Sequence, residues 1–117
     1  MDMQFSQFFQ LLSDDTRLRS LFLMQQEGEL CVCELVHALG VIQPKVSRHL
    51  AALRDIGVVI DRRQGQWIYY QLNPGLPDWA QQVIDATVAA AADQKPFIND
   101  LAVLAKMPNR PDAACCA

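Results

Sequence analysis

The residues of this sequence best suited to chemistry are four cysteines, which fall in two close pairs, Cys31 with Cys33 and Cys115 with Cys116. Thiolate ligands select soft ions, and the adjacent thiols of the second pair could chelate one. Positions i and i+2 point in different directions on a regular helix, so Cys31 and Cys33 can converge on one ion only where the helix start is extended or distorted. The alternatives are two small buried core residues for the first pair and a dispensable chain end for the second.

Three other uses of these thiols stay open at the level of sequence. His37 lies four residues after Cys33, on the same helix face, and could join Cys31, Cys33 and a tail thiol in a zinc or cadmium site; an exposed helix residue is the simpler interpretation. A disulfide within either pair would make a redox sensor. A small thiol oxidoreductase is the third use, but the βαβ context of the commonest such fold is missing. We find neither a glycine-rich phosphate loop nor a Ser/His/Asp spacing, and we expect no enzyme and no constitutive cofactor.

Basic residues are concentrated in one segment of an otherwise acidic chain. The 117 residues carry a net charge of −3, whereas the segment 43–66 carries +3, which leaves −6 for the remainder. Salt screens distant charges within about 8–10 Å, so a local basic patch can still bind phosphates. The segment is therefore a candidate contact for double-stranded DNA.

A helix-turn-helix is predicted across the start of this segment. A short helix over Glu34–Leu39 stops at Gly40, and Pro44 stands in the first turn of the following helix, where proline is favoured. The second helix combines a polar, basic outer face with an apolar stripe made of Val46, Leu50 and Leu53. The side chains that we expect to meet base edges or phosphates are Gln43, Lys45, Ser47, Arg48 and His49.

A β-hairpin is predicted after Gly57. Residues 58–63 and 66–72 are rich in Val, Ile, Trp and Tyr and flank Gln64-Gly65, which is typical of a two-residue hairpin turn. We expect its Arg62, Arg63 and Gln64 to contact the DNA backbone or minor groove. Together with the preceding helices, this predicts a mostly α fold with a two-stranded β-wing, a winged helix-turn-helix.

The two ends of the chain predict a dimer and a tail. Apolar residues at helical spacing form a stripe on a first helix, and we expect this stripe, together with a helix from Asp78 to Asp93, to join two copies in a homodimer. We expect a winged-helix domain over residues 1–106 and a flexible, cysteine-containing tail over 107–117. The dimer stripe consists of Phe5, Phe8, Phe9 and Leu12.

The composition also predicts a compartment. We find neither a run of about eighteen apolar residues nor an N-terminal basic segment followed by an apolar one. We therefore expect a cytoplasmic protein without a membrane partner, where thiols stay reduced.

Three stretches resemble the ArsR/SmtB family of metal-responsive repressors. Residues 29–35, Glu-Leu-Cys-Val-Cys-Glu-Leu, are similar to the Glu-Leu-Cys-Val-Cys-Asp-Leu box of its arsenic-responsive branch. Residues 43–50 resemble the start of its recognition helix, and residues 61–70 resemble its wing. The similarity runs from about Phe8 to Trp79, with the three motifs in the same order and spacing.

This resemblance implies a homodimer joined through its first and last helices. It also implies a repressor of a resistance operon that binds operator DNA and is released by an inducer, As(III) or Sb(III). In the best-known members a third cysteine lies three residues after the second, and here that position is Val36. The third sulfur ligand is therefore open, with Cys115 and Cys116 as candidates.

Overall fold

The computed structural model describes residues 3–110. The described chain forms two helices, a short strand, two further helices, a two-stranded hairpin and two final helices. Their bounds are α1 Phe5–Leu12, α2 Asp15–Glu27, β1 Leu30–Cys31, α3 Val32–Leu39, α4 Gln43–Ile56, β2 Val59–Gln64, β3 Trp67–Leu72, α5 Asp78–Ala91 and α6 Phe97–Ala105. The predicted winged helix-turn-helix is confirmed.

The apolar stripe of α4 holds this helix in place. Val46, Leu50 and Leu53 are all fully buried, as their spacing predicts, and they belong to one core cluster with side chains from α2, α3 and the sheet. Truncating a buried leucine of this kind to alanine typically costs about 2–5 kcal/mol. Burial of one face fixes which side of α4 remains available for contacts.

The turn between α3 and α4 spans only residues 40–42. Gly40 ends α3 with φ 67°, a left-handed conformation that glycine adopts without steric cost. The short turn orients α4 across α3, and the predicted helix-turn-helix is therefore present. α3 begins at Val32, two residues before the predicted start.

The wing belongs to a three-stranded sheet rather than standing alone as two strands. β1 pairs antiparallel with β3 through Leu30↔Tyr70 and Cys31↔Tyr69, and the strand order is β1-β3-β2. The sequence did not predict β1 because a two-residue strand is too short to carry a period-two pattern. As a result, the first cysteine pair begins on the sheet that forms the wing.

The hairpin turn falls one residue later than predicted. Gln64 pairs with Trp67, so the turn residues are Gly65 and Gln66 rather than Gln64 and Gly65. Gly65 has φ 61°, as expected for glycine at the first central position of a type II′ turn. Gln64 is therefore the last residue of β2.

A buried ion pair fastens α6 to the rest of the fold. Arg19 of α2 donates to both carboxylate oxygens of Asp100 at 2.7 Å, and also to the Leu39 carbonyl oxygen at 3.1 Å. Asp100 is 3% exposed. The hydrogen bond from Arg19 to Asp100 raises the pKa of Arg19 further above its usual range. Three helices therefore meet at one guanidinium group.

Within residues 3–110 no helix is long and apolar enough to span a lipid bilayer.

Candidate DNA-binding surface and thiol site

The first turns of α4 present a polar surface. Gln43, Lys45 and Arg48 are exposed, and Ser47 is half-buried beside them. These four residues lie either on the side of α4 opposite its buried stripe or at the N-terminal end of the helix. The structure thus brings four of the five predicted recognition-helix residues to one accessible region, next to the turn that starts the helix.

His49 lies toward α2 instead. Its side chain is 12% exposed, and Arg17 Nη1 donates to its Nδ1 at 3.0 Å. Because guanidinium only donates, the ring accepts at Nδ1 and carries its proton on Nε2, which lies 3.8 Å from Asp14 Oδ1. Burial lowers the pKa of His49 below its usual value, and the charge of Arg17 acts in the same direction. The ring therefore joins α4 to the start of α2.

The wing residues Arg62, Arg63 and Gln64 are all exposed, as their predicted role requires. Arg62 is held in place by Glu29, which accepts from Nε at 2.7 Å and from Nη2 at 2.6 Å. Arg62 also donates to Gln64 at 2.6 Å and lies 4.5 Å from the ring centre of Tyr69. Sequence reasoning missed Glu29, which precedes the first cysteine pair by two residues.

The thiols of Cys31 and Cys33 converge. Their Sγ atoms are 3.2 Å apart, and both residues are thiols rather than a disulfide. Cys31 is the N-cap of α3, with extended backbone at φ −74° and ψ 151°, while Cys33 lies in the first helical turn. The extended helix start that the spacing demands is therefore present. Cys31 is buried and Cys33 is partly exposed, so a ligand can approach from the Cys33 side.

A buried carboxylate supports this helix start. Glu34 is 2% exposed and accepts a hydrogen bond from the Cys31 backbone N–H at 2.7 Å, completing a capping box. Its second oxygen accepts from Arg110 Nε at 2.6 Å, and Arg110 also lies 3.6 Å from Glu27. Burial of Arg110 lowers its pKa, but the hydrogen bonds and negative charges of Glu34 and Glu27 together outweigh that effect, and the pKa of Arg110 is raised. Arg110, which sequence reasoning missed, thus ends the described chain beside the thiol site.

The third ligand is not found in the described part of the chain. Val36 stands where the family resemblance implies a third cysteine, and within residues 3–110 no group of three or more His, Cys, Asp or Glu side chains could hold a metal. His37 is exposed, as its simpler interpretation predicts. Cys115 and Cys116 lie outside the described residues.

The predicted dimer stripe is divided between surface and core. Phe5 and Phe9 are 65% and 49% exposed, and Leu12 is half-buried. Phe8 is fully buried within the single chain, 5.1 Å from Trp79 in an edge-to-face contact. The eight-residue helix α1 has apolar residues on both its exposed side and its buried side. The sequence pattern alone did not show which residues lie on which side.

The helix-turn-helix, its exposed polar surface and the hairpin wing define a DNA-binding protein of the winged-helix class. The family model for bacterial regulatory proteins of the arsR family matches residues 14–61. The chain is 50% identical over 105 residues to the arsenic resistance transcriptional regulator ArsR1 of Pseudomonas putida, which covers 90% of this chain and 80% of that protein. This chain therefore belongs to the arsR family of bacterial regulatory proteins.

Other relatives agree with this assignment. The arsenical resistance operon repressor of Escherichia coli is 52% identical over 79 residues, which is 68% of each chain. Among solved structures, HlyU from Vibrio cholerae has a TM-score of 0.65 at 27% identity and covers 73% of this chain and 88% of that chain. The AntR antimony-specific transcriptional repressor has a TM-score of 0.61 at 29% identity, covering 71% and 72%.

Proposed function

We propose that this protein represses an arsenic-resistance operon by binding operator DNA as a homodimer, and that it leaves the DNA when As(III) or Sb(III) binds Cys31 and Cys33. The observation that carries the proposal is the 3.2 Å separation of the two Sγ atoms at the start of α3. Two sulfurs bound to one ion at about 2.3 Å, the Zn–S distance, can be at most about 4.6 Å apart. One soft ion can therefore bind both thiols without a large rearrangement.

The position of the thiols supports the release step. Cys31 lies in β1, paired with the wing strand β3, and it also caps α3, which packs beside α4. An ion that changes the sulfur positions acts on both DNA-contacting elements. The residues that contact the major groove in this proposal are Gln43, Lys45, Ser47 and Arg48. His49 holds α4 in place through its contact with Arg17. The residues that contact the DNA backbone or minor groove are Arg62, Arg63 and Gln64.

Binding of arsenite is a ligand exchange without oxidation or reduction. Each thiol loses its proton as sulfur bonds to arsenic, and one hydroxide leaves the arsenic carrying that proton, as water. Two such exchanges use Cys31 and Cys33 and leave one As–OH group. A third thiol can replace the remaining hydroxide by the same exchange, which completes the three-sulfur site that the family resemblance implies; thiolate ligands select soft ions.

Cys115 or Cys116 supplies that third thiol in this proposal. Arg110 is bonded to Glu34, which itself contacts Cys31. Cys115 follows Arg110 by five residues, and five extended residues span at most about 18 Å. Either tail thiol can therefore reach the site of its own chain.

The homodimer rests on exposed aromatic surface. The exposed apolar surface of Phe5 and Phe9 is unfavourable in water on a domain of this size. Phe5 also contacts Trp79 of α5, with ring centres 4.7 Å apart. A second copy covers this surface in the proposal. Two-fold symmetry then requires an inverted-repeat operator whose half-sites are about one helical turn apart, or a multiple of it.

Gel mobility-shift titration of operator DNA tests the function. The wild type is expected to bind and to be released by arsenite or antimonite in the presence of reductant. Cys31→Ser and Cys33→Ser are expected to bind equally well and to resist arsenite. Arg48→Ala, as the matched DNA-side control, is expected to lose about 1–3 kcal/mol of binding and to keep its arsenite affinity.

Peroxide, zinc and cadmium, added in the same mobility-shift experiment, decide between arsenite sensing, redox sensing and sensing of zinc or cadmium. Release by peroxide but not by arsenite would replace the proposal with a redox sensor. Release by zinc or cadmium alone would replace it with a sensor of those ions. Failure of the wild type to bind any inverted-repeat DNA from its own promoter would contradict repression itself.

A further inference from the structure

Ile42 is an unexpected residue at the start of the recognition helix. It is the N-cap of α4, and the residue is 71% exposed, the highest value among the large hydrophobic residues exposed in the described part of the chain. Its carbonyl oxygen accepts from Lys45 N and Val46 N at 3.1 Å, so its backbone is fixed by the helix while its side chain projects into solvent.

Two separate preferences argue against isoleucine at this position. An N-cap is normally Ser, Thr, Asp or Asn, whose side chain accepts a backbone N–H, and Ile42 makes no such bond. A β-branched apolar side chain also gains nothing from exposure to water. Asp14, the N-cap of α2, shows the usual solution by accepting from Arg17 N at 3.0 Å. The start of α4 lacks this stabilisation.

We propose that Ile42 reads thymine by contact with its C5-methyl group in the major groove of the operator. The proposal rests on the proposed DNA binding and names what this end of the surface recognises. The N-terminal residues of a recognition helix contact base edges, and thymine is the base that presents a methyl group in the major groove. Burying Ile42 against that methyl removes both apolar groups from water.

The neighbours of Ile42 fit this assignment. Gln43 and Lys45 are exposed beside it and offer hydrogen-bonding groups, whereas Ile42 offers only apolar surface. The other exposed large hydrophobic residues of the described chain stand on different elements, which are α1, β2 and α6; they are Phe5, Phe9, Ile60, Ile98 and Val103. Ile42 is therefore continuous with the polar DNA-binding surface, and we assign to it a base-specific role that the polar residues cannot fill.

Deoxyuridine substitution tests the contact one methyl group at a time. In each operator half-site, single thymines are replaced by deoxyuridine, which pairs identically and lacks the methyl. At one thymine position, the wild type is expected to lose about fourfold in affinity per half-site, the value for one buried methyl-sized group. Substituting both half-sites together is then expected to give about sixteenfold.

Ile42→Ser is the informative variant because serine restores an ordinary N-cap. It is expected to fold at least as stably as the wild type, to bind the thymine and deoxyuridine operators equally, and to keep its release by arsenite. Ile42→Val, which keeps a branched apolar surface, is expected to retain most of the discrimination.

Two outcomes would overturn the inference. One is a wild type that binds specifically but distinguishes no thymine from deoxyuridine, and the other is equal discrimination by Ile42→Ser. Both leave the proposed repressor function intact. A wild type without sequence-specific DNA binding would instead remove the proposed function, and this inference with it.

Discussion

Cys31 lies directly opposite Tyr69 in the sheet, and Tyr69 in turn lies opposite Arg62 on the next strand. Cross-strand neighbours place their side chains on the same face. A thiol of the proposed inducer site, a buried aromatic ring and a wing arginine therefore form one row across three strands. Glu29, just before β1, links the two ends of the row because both of its carboxylate oxygens accept hydrogen bonds from Arg62. The proposed inducer site and the wing are thus in direct structural contact.

The first prediction concerns Glu29 as a competitor of DNA for Arg62. A phosphate that binds Arg62 through the same donors must displace Glu29. Glu29→Gln is expected to raise operator affinity by up to about fivefold, the range for a partly exposed ion pair. It is also expected to steepen the dependence of log affinity on log salt by about one unit. Fluorescence anisotropy over a salt series measures both.

The control for this prediction is the same substitution in an Arg62→Ala background. There Glu29→Gln is expected to have much less effect, because the competed group is gone. Equal gains in both backgrounds would mean that Glu29 acts only as a general negative charge and does not hold Arg62 away from DNA.

The second prediction concerns pH. Burial and the nearby charges of Arg17, Arg48 and Lys45 lower the pKa of His49, against the attraction of Asp14. Because the folded state disfavours protonated His49, the stabilisation is complete above the unfolded pKa of about 6.5 and is lost as pH falls through the folded value. Urea unfolding between pH 7.5 and 5 is expected to show a steeper loss for wild type than for His49→Gln.

His37→Gln is the matched control, because His37 is exposed on α3. It is expected to follow the pH dependence of the wild type. Parallel curves for wild type and His49→Gln would show that protonation of His49 does not control stability in this range.

The sequence predicted the elements whose patterns are local and missed the contacts that are not. The stripe Val46, Leu50 and Leu53 repeats at helical spacing, and its burial follows directly. The ion pair between Glu34 and Arg110 joins residues 76 positions apart, so no local pattern contains it. From the sequence we could predict only that Cys31 and Cys33 converge if the start of the helix is extended. That extended N-cap depends on the pairing of β1 with β3, which no local pattern shows.

The third prediction concerns the ion pair of Arg19 and Asp100. Asp100→Asn leaves Arg19, whose side chain is 19% exposed, without its charged partner. Because the pair is largely but not fully buried, we expect a loss of about 2–4 kcal/mol in the free energy of unfolding. Asp55→Asn breaks an exposed pair with Arg54 and is expected to cost less than about 1 kcal/mol. Similar urea midpoints for both variants would show that the Arg19 pair contributes no more than a surface one.

The last prediction concerns the third sulfur. Truncation after Ala114 removes Cys115 and Cys116 but keeps Arg110 and its bond to Glu34. We expect operator affinity to be unchanged and the arsenite concentration for half-release to rise, because two sulfurs and a hydroxide hold arsenic less tightly than three sulfurs do. X-ray absorption of the arsenite complex is expected to show three As–S bonds in the full chain and two in the truncated one. Cys115→Ser and Cys116→Ser, made singly, identify which thiol binds. An unchanged arsenite response with two As–S bonds in both chains would assign sensing to Cys31 and Cys33 alone.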